Sequence, residues 1–114
     1  MKKIICAFTI VGFLISCGGA GGSSDAASIE KGSALVASGD CMTCHRPEER
    51  LTGPGYAEIA AKYAGRPDTI VTYLAGKIIH GGGGEWGEMP MLAHASITQA
   101  DAELMVKYIL SLKK

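Results

Sequence analysis

Aromatic side chains are scarce in this 114-residue chain: two Phe, four Tyr and one Trp, 6% of the total. Rings supply much of the buried area in a small domain, so a core built from this sequence alone is short of apolar mass. An excess of charge of one sign is also lacking. Eleven Lys and Arg balance eleven Asp and Glu, with no basic stripe, which argues against a nucleic-acid interface. The longest apolar run, residues 4–15, is too short to span a bilayer. No segment alternates apolar and polar residues as a half-buried strand does, and there are no internal repeats. No acid–base pair, phosphate loop or nucleophile constellation is visible. What remains is one small helical domain whose chemistry rests on a few residues.

Those residues are Cys41-Met42-Thr43-Cys44-His45. C-x-x-C-H reads as a c-type haem attachment site. Two thiols three positions apart can form thioethers with the two vinyl groups of one haem, and the adjacent imidazole then lies beneath the iron. A bare C-x-x-C would instead make a redox disulfide or half a zinc site. The His directly after the second Cys and signs of export favour haem.

Export is read from the N-terminus. Lys2 and Lys3 form a short basic region ahead of the apolar run of residues 4–15, the pattern of a signal peptide. The run ends in Leu14-Ile15-Ser16-Cys17, which resembles the lipobox of bacterial lipoproteins. That resemblance implies cleavage before Cys17 and lipid on its sulfur, with an ordinary secretory signal as the alternative. Residues 18–28 are almost all Gly, Ala and Ser and read as a flexible tether. The expected division is thus a lipoprotein signal peptide at 1–16, a lipidated tether at 17–28 and a folded domain at 29–114. Cys6 leaves with the signal, Cys17 takes lipid, and Cys41 and Cys44 take haem, so no cysteine remains for a disulfide. Without the signal, nine basic side chains face eleven acidic ones, a slight bias toward partners with a basic docking face. At this size a core alone is marginal, and a covalent haem would supply the missing apolar mass.

Helical spacing is clear in three places. Residues 29–38 place Ile29, Gly32, Leu35 and Val36 on one face, with Ser28 as the expected N-cap. Residues 69–80 place Ile70, Tyr73, Leu74 and Ile78 together. After Thr98-Gln99-Ala100-Asp101, a capping box with Asp in the Glu position, a last helix to about Leu112 carries Leu104, Met105, Tyr108, Ile109 and Leu112. A short helix is expected over 56–63, and loops over 46–55 and 85–96.

Helix, haem motif, loop, short helix, helix, Met-containing loop and helix resembles class I cytochrome c, in its short single-haem bacterial form. The resemblance covers about residues 29–113. Its marks are the C-x-x-C-H segment, Thr52-Gly53-Pro54-Gly55-Tyr56, Ala60-Ala61-Lys62-Tyr63-Ala64-Gly65, Trp86-Gly87-x-x-Pro90-Met91 and Lys107-Tyr108-Ile109-Leu110-Ser111. The run of four glycines at 81–84 is richer in Gly than the family pattern. The fold implied is all-α, about four helices around one covalent haem c, with Gly32 and Leu35 crossing Leu104 and Tyr108.

His45 is the expected proximal ligand through Nε2, with its other nitrogen fixed by an acceptor; the resemblance implies the Pro54 carbonyl. Four side chains are eligible on the distal side: Met89, Met91, His80 and His94. Alignment with the family through Trp86-Gly87-x-x-Pro90-Met91 selects Met91, 46 residues beyond His45, and His/Met ligation raises the potential. His80 and His94 read as surface or loop residues. The resemblance places Trp86 beside the haem with its N–H on a propionate or a backbone group. Lys62, Arg66 and Lys77 are candidates for a docking rim, or simply a solvated face. With both axial positions filled no substrate reaches iron, so the expectation is a non-enzymatic electron carrier. It would be held outside the cytoplasm by lipid and exchange electrons with redox partners such as a terminal oxidase or reductase. The competing classes are a haem enzyme or gas-binding protein with an open distal site, and a thiol–disulfide oxidoreductase using Cys41 and Cys44.

Overall fold

Helix α1 runs Ala20–Ser38, α2 Tyr56–Lys62, α3 Thr69–His80 and α4 Gln99–Ser111, with a 3-10 turn at Cys41–Thr43 after α1. The computed structural model describes residues 20–114, so the signal segment and Cys17 lie outside the described residues. Among the described residues there is no strand. Their sheet-like pairings are two isolated antiparallel bridges, His45 with Arg50 and Gly82 with Met91. The expected all-α architecture is therefore the observed one.

Helices α3 and α4 begin and end where apolar spacing and capping place them. The Thr98 Oγ1 accepts a bond from the Asp101 N–H at 3.2 Å, satisfying one free donor of the first turn of α4. The C-terminus of α3 closes on Gly81, whose φ of 68° lies in the left-handed region and whose N–H donates to the Lys77 carbonyl. The buried face of α3 is rotated from the expected one. Ala75 and Ile78 are buried with Val71 and Leu74 packed beside them, while Tyr73 is 44% exposed.

Helix α1 departs from the sequence reading. It starts at Ala20 rather than at 29, so the described part of the Gly/Ala/Ser segment is helical. Ser28 does not cap it. Its Oγ donates to the Ser24 carbonyl at 2.9 Å, the bond of a serine inside a helix.

The core lies where α1 and α3 pack on α4. Val36, Ala75, Ala102, Met105 and Val106 are each 3% exposed or less. At the α1–α4 crossing the backbones meet: a Cβ on Gly32 would collide with the Leu104 carbonyl. A glycine costs helix propensity but permits this approach, which the expected Gly32–Leu104 crossing requires. The Thr72 hydroxyl and the Gln99 amide both donate to Glu103 Oε1, tying α3 to α4 at the surface. The helices share a cavity with the 3-10 turn and with residues of the 81–97 segment.

Candidate functional site

One apolar cavity of about 260 Å³ is lined by Cys41, Cys44 and His45 from the segment after α1 and by Trp86, Met89 and Met91 from the loop after α3. Ile59, Leu74, Ile78, Met105, Val106 and Ile109 close it from the helices. Residues 45 positions apart and more thus share one wall-to-wall space.

The proximal wall is built from the attachment turn and the Gly-Pro loop. The Cys41 carbonyl accepts from the N–H groups of both Cys44 and His45, and the Gly53 N–H donates back to the Cys44 carbonyl at 2.8 Å. Imidazole Nδ1 of His45 lies 2.7 Å from the Pro54 carbonyl oxygen. A carbonyl can only accept, so Nδ1 carries the proton and Nε2 keeps a lone pair. That Nε2 makes no hydrogen bond to any described residue. Gly53 presses against the ring, since a Cβ there would sit 2.7 Å from Cε1. On another side the Tyr56 ring stacks with centroids 5.4 Å apart and planes 22° from parallel. Tyr56 is 2% exposed, and burial, followed by the neighbouring Cys41 and Tyr108, raises its phenol pKa and keeps it protonated. In the sequence Tyr56 ends the Thr52-Gly53-Pro54-Gly55-Tyr56 segment, and no local pattern marks it for this stack.

Burial is the largest influence on the Cys41 thiol and raises its pKa; the Asp40 carboxylate adds to the rise. A reactive thiol needs the opposite, so the geometry disfavours thiol–disulfide exchange.

The distal wall is loop. The Gly82 N–H donates to the Met91 carbonyl at 3.0 Å and the Met91 N–H returns the bond at 2.9 Å. Gly82 adopts φ 112°, a value that side chains resist, so part of the glycine run serves to set this bridge. Met91 is half-buried and packs on the core, whereas Met89 is 68% exposed at the cavity mouth. His80 is exposed at the end of α3 and does not line the cavity. His94 is a loop residue, as expected, but its side chain also lines the cavity. Its Nε2 lies 3.0 Å from Asp40 Oδ1, a partner 54 positions away that no local pattern reveals.

Trp86 lines the cavity, and two cations lie near its ring. Lys62 Nζ is 4.4 Å and Arg50 Cζ 5.6 Å from the ring centroid, and the Arg50 guanidinium donates to the Trp86 carbonyl. The indole N–H makes no hydrogen bond to a described residue. Lys62 also donates to Glu85 at 3.0 Å, so it is engaged rather than a free rim cation. Glu85 and Glu58, held by Lys62 and by the Gly55 N–H respectively, both have carboxyls below their ordinary pKa.

The sequence profile of the cytochrome c family matches residues 29–113. The chain belongs to the cytochrome c family. Cytochrome c-552 of Nitrosomonas europaea is 43% identical over 79 residues, covering 69% of this chain and 76% of that protein. Cytochrome c-552 of Hydrogenobacter thermophilus is 49% identical over 73 residues, covering 64% and 72%. The crystal structure of wild-type Nitrosomonas europaea cytochrome c552 superposes with a TM-score of 0.66 at 42% identity, over 71% of this chain and 99% of that one. This cytochrome c carries one covalent haem c. The residues present fit it: two half-buried thiols in the attachment spacing, and an imidazole with a free Nε2 that lines one apolar cavity together with a thioether.

Proposed function

We propose that the protein is an electron carrier whose haem c is joined through Cys41 and Cys44 and ligated by His45 Nε2 and the Met91 sulfur. The observation that carries the reading is the meeting, in one apolar cavity, of an imidazole with only Nε2 free and a methionine pinned by its backbone. The bound haem supplies a one-electron Fe(II)/Fe(III) couple. The protein's own part is to hold things still. The Pro54 carbonyl orients His45 and makes it a better donor, Gly53 and Tyr56 fix the ring plane, and the helices exclude water. Trp86 serves a propionate with its free indole N–H while Lys62 and Arg50 hold the ring in place.

Both axial positions are then taken by protein, which leaves no site for a substrate and supports a non-enzymatic role. Redox partners, a terminal oxidase or reductase among them, are read as docking where Met89 and Leu92, 68% and 75% exposed, rim the cavity. Export and anchoring through a lipid on Cys17 complete the proposal. No described helix is long and apolar enough to cross a membrane.

The deciding experiment is the visible spectrum of the oxidised protein made with a c-type maturation system. A weak far-red thioether-to-ferric band beside the Soret peak is expected. A Soret peak without that band would overturn Met91 as ligand. For the anchor, Cys17→Ser should release the protein from membranes after signal removal, and continued membrane binding would overturn lipid attachment there.

A further inference from the structure

Residues 81–97 hold Met91 without a helix, so what anchors this loop decides how well the distal side stays shut. His94 sits three residues beyond Met91 and touches three parts of the molecule. Its N–H donates to the Ile78 carbonyl of α3 at 3.0 Å, and its carbonyl accepts from the Ile97 N–H at 3.0 Å. Its Nε2 reaches Asp40 Oδ1 at 3.0 Å. A carboxylate only accepts, so Nε2 bears the proton and donates. Asp40 directly precedes Cys41, and this single bond therefore joins the Met91 loop to the haem attachment turn. Meanwhile Nδ1 is buried with no hydrogen-bond partner among the described residues. A histidine belonging to the solvated surface would keep both nitrogens wet. This ring is instead set into the cavity wall, held by one nitrogen with the other sealed from water.

We propose that His94 is a positioning residue, a latch that through Asp40 keeps the Met91 loop closed over the distal face of the haem. The inference rests on Met91 as the distal ligand. Two anchorages hold the loop near Met91: the end of α3, through the backbone bridge to Gly82 and the His94 N–H bond to the Ile78 carbonyl, and the attachment turn, through the His94–Asp40 bond. Without the second, the loop is hinged on one side only, and local opening becomes more frequent.

Cyanide binding to the oxidised holoprotein reads that opening, because the anion can reach the iron only when the Met91 sulfur has left. Stopped-flow rates would be compared for the natural protein, Asp40→Ala, His94→Ala and the double variant. Asp40 is 75% exposed, so its truncation leaves no buried void and the fold should survive. We expect the rate to rise about threefold in Asp40→Ala and about tenfold in His94→Ala, which also loses the seated ring. The double variant should be no faster than His94→Ala, and the far-red band should persist in all three. Wild-type rates in both single variants would overturn the latch, as would effects that multiply in the double variant, since the two residues would then act separately. Absence of the far-red band in the natural protein would overturn the Met91 reading and the latch with it; its presence beside unchanged rates would overturn the latch alone.

Discussion

His45 and Met91 are each paired with a residue nine positions away, Pro54 and Gly82, yet the two pairings hold different things. On the proximal wall the side chain itself is held: bonded at Nδ1, stacked on Tyr56 and crowded by Gly53. On the distal wall only the main chain is held, by two bonds to Gly82, and the thioether is left to find its place by packing. An imidazole has one useful direction for its lone pair, and fixing the ring plane sets the ligand field. A thioether is flexible and tolerant, so the protein need only bring its Cα to the right region. The iron would then sit between a rigid partner and an adaptable one, with ligand loss expected from the adaptable side.

Removing each wall's central group tests this most strongly. Met91→Ala should abolish the far-red band, admit carbon monoxide to the reduced protein and lower the potential by on the order of a tenth of a volt or more; redox titration checks it, and an unchanged potential would sink the Met91 assignment. On the proximal side, Tyr56→Ala should destabilise the holoprotein by about 3–5 kcal/mol, the cost of truncating a buried aromatic. Thermal unfolding measures it, and a loss below about 1 kcal/mol would show that the stack on His45 contributes little beyond contact.

Smaller effects sharpen the contrast between a crowded wall and a hinged one. Gly53→Ala pushes a methyl into the His45 ring and should cost about 1–3 kcal/mol, with a shift in the ferric spectrum as the imidazole moves. Gly81→Ala strains a left-handed residue and meets the Met91 carbonyl. Its cost should be similar in unfolding, at about 1–2 kcal/mol, but its spectral mark should be a weaker far-red band. Identical spectral changes in the two variants would mean that the walls are not independent.

The smallest effect concerns acid. Glu58 is held by the Gly55 N–H and by Arg50, which lowers its pKa below the ordinary 4.5. Its contribution is present above the unfolded-state value and is lost as pH falls through the lowered folded value. Glu58→Gln should therefore leave the thermal midpoint slightly lower near neutrality and flatten its decline below about pH 4.5. The natural and Glu58→Gln proteins declining in parallel would remove Glu58 from the acid response.

Much of the proximal wall could be read from the chain because its partners are close in sequence. Cys41, Cys44 and His45 occupy five positions, and Gly53 and Pro54 follow within ten. The bounds of α3 and α4 were equally readable, since apolar period and capping agree there. What resisted were the side-chain bonds that cross the fold: nothing near His94 points to Asp40, and nothing near Arg50 points to Trp86. Two local errors have local causes. Tyr73 lies on the apolar period of α3, but it is 44% exposed while Ala75, at 0%, takes the buried place. Ser28 looked like a cap because Ser favours caps, and Gly, Ala and Ser together looked too weak to continue a helix. In the structure the helix does continue, back to Ala20.

That earlier start changes the geometry of attachment under the anchoring proposed above. As coil, residues 20–28 would let the head drift within a cap of space about 15–18 Å in reach. As helix they are a strut about 13 Å long continuous with α1, and α1 is bolted to α4 through Gly32. Tilting the strut then turns the whole head, so the strut would act as a lever arm that aims the haem. A proline placed at Ser24 would cut that arm while leaving reach almost unchanged, and the rate of electron exchange with a membrane-bound partner would report whether aim or mere proximity matters.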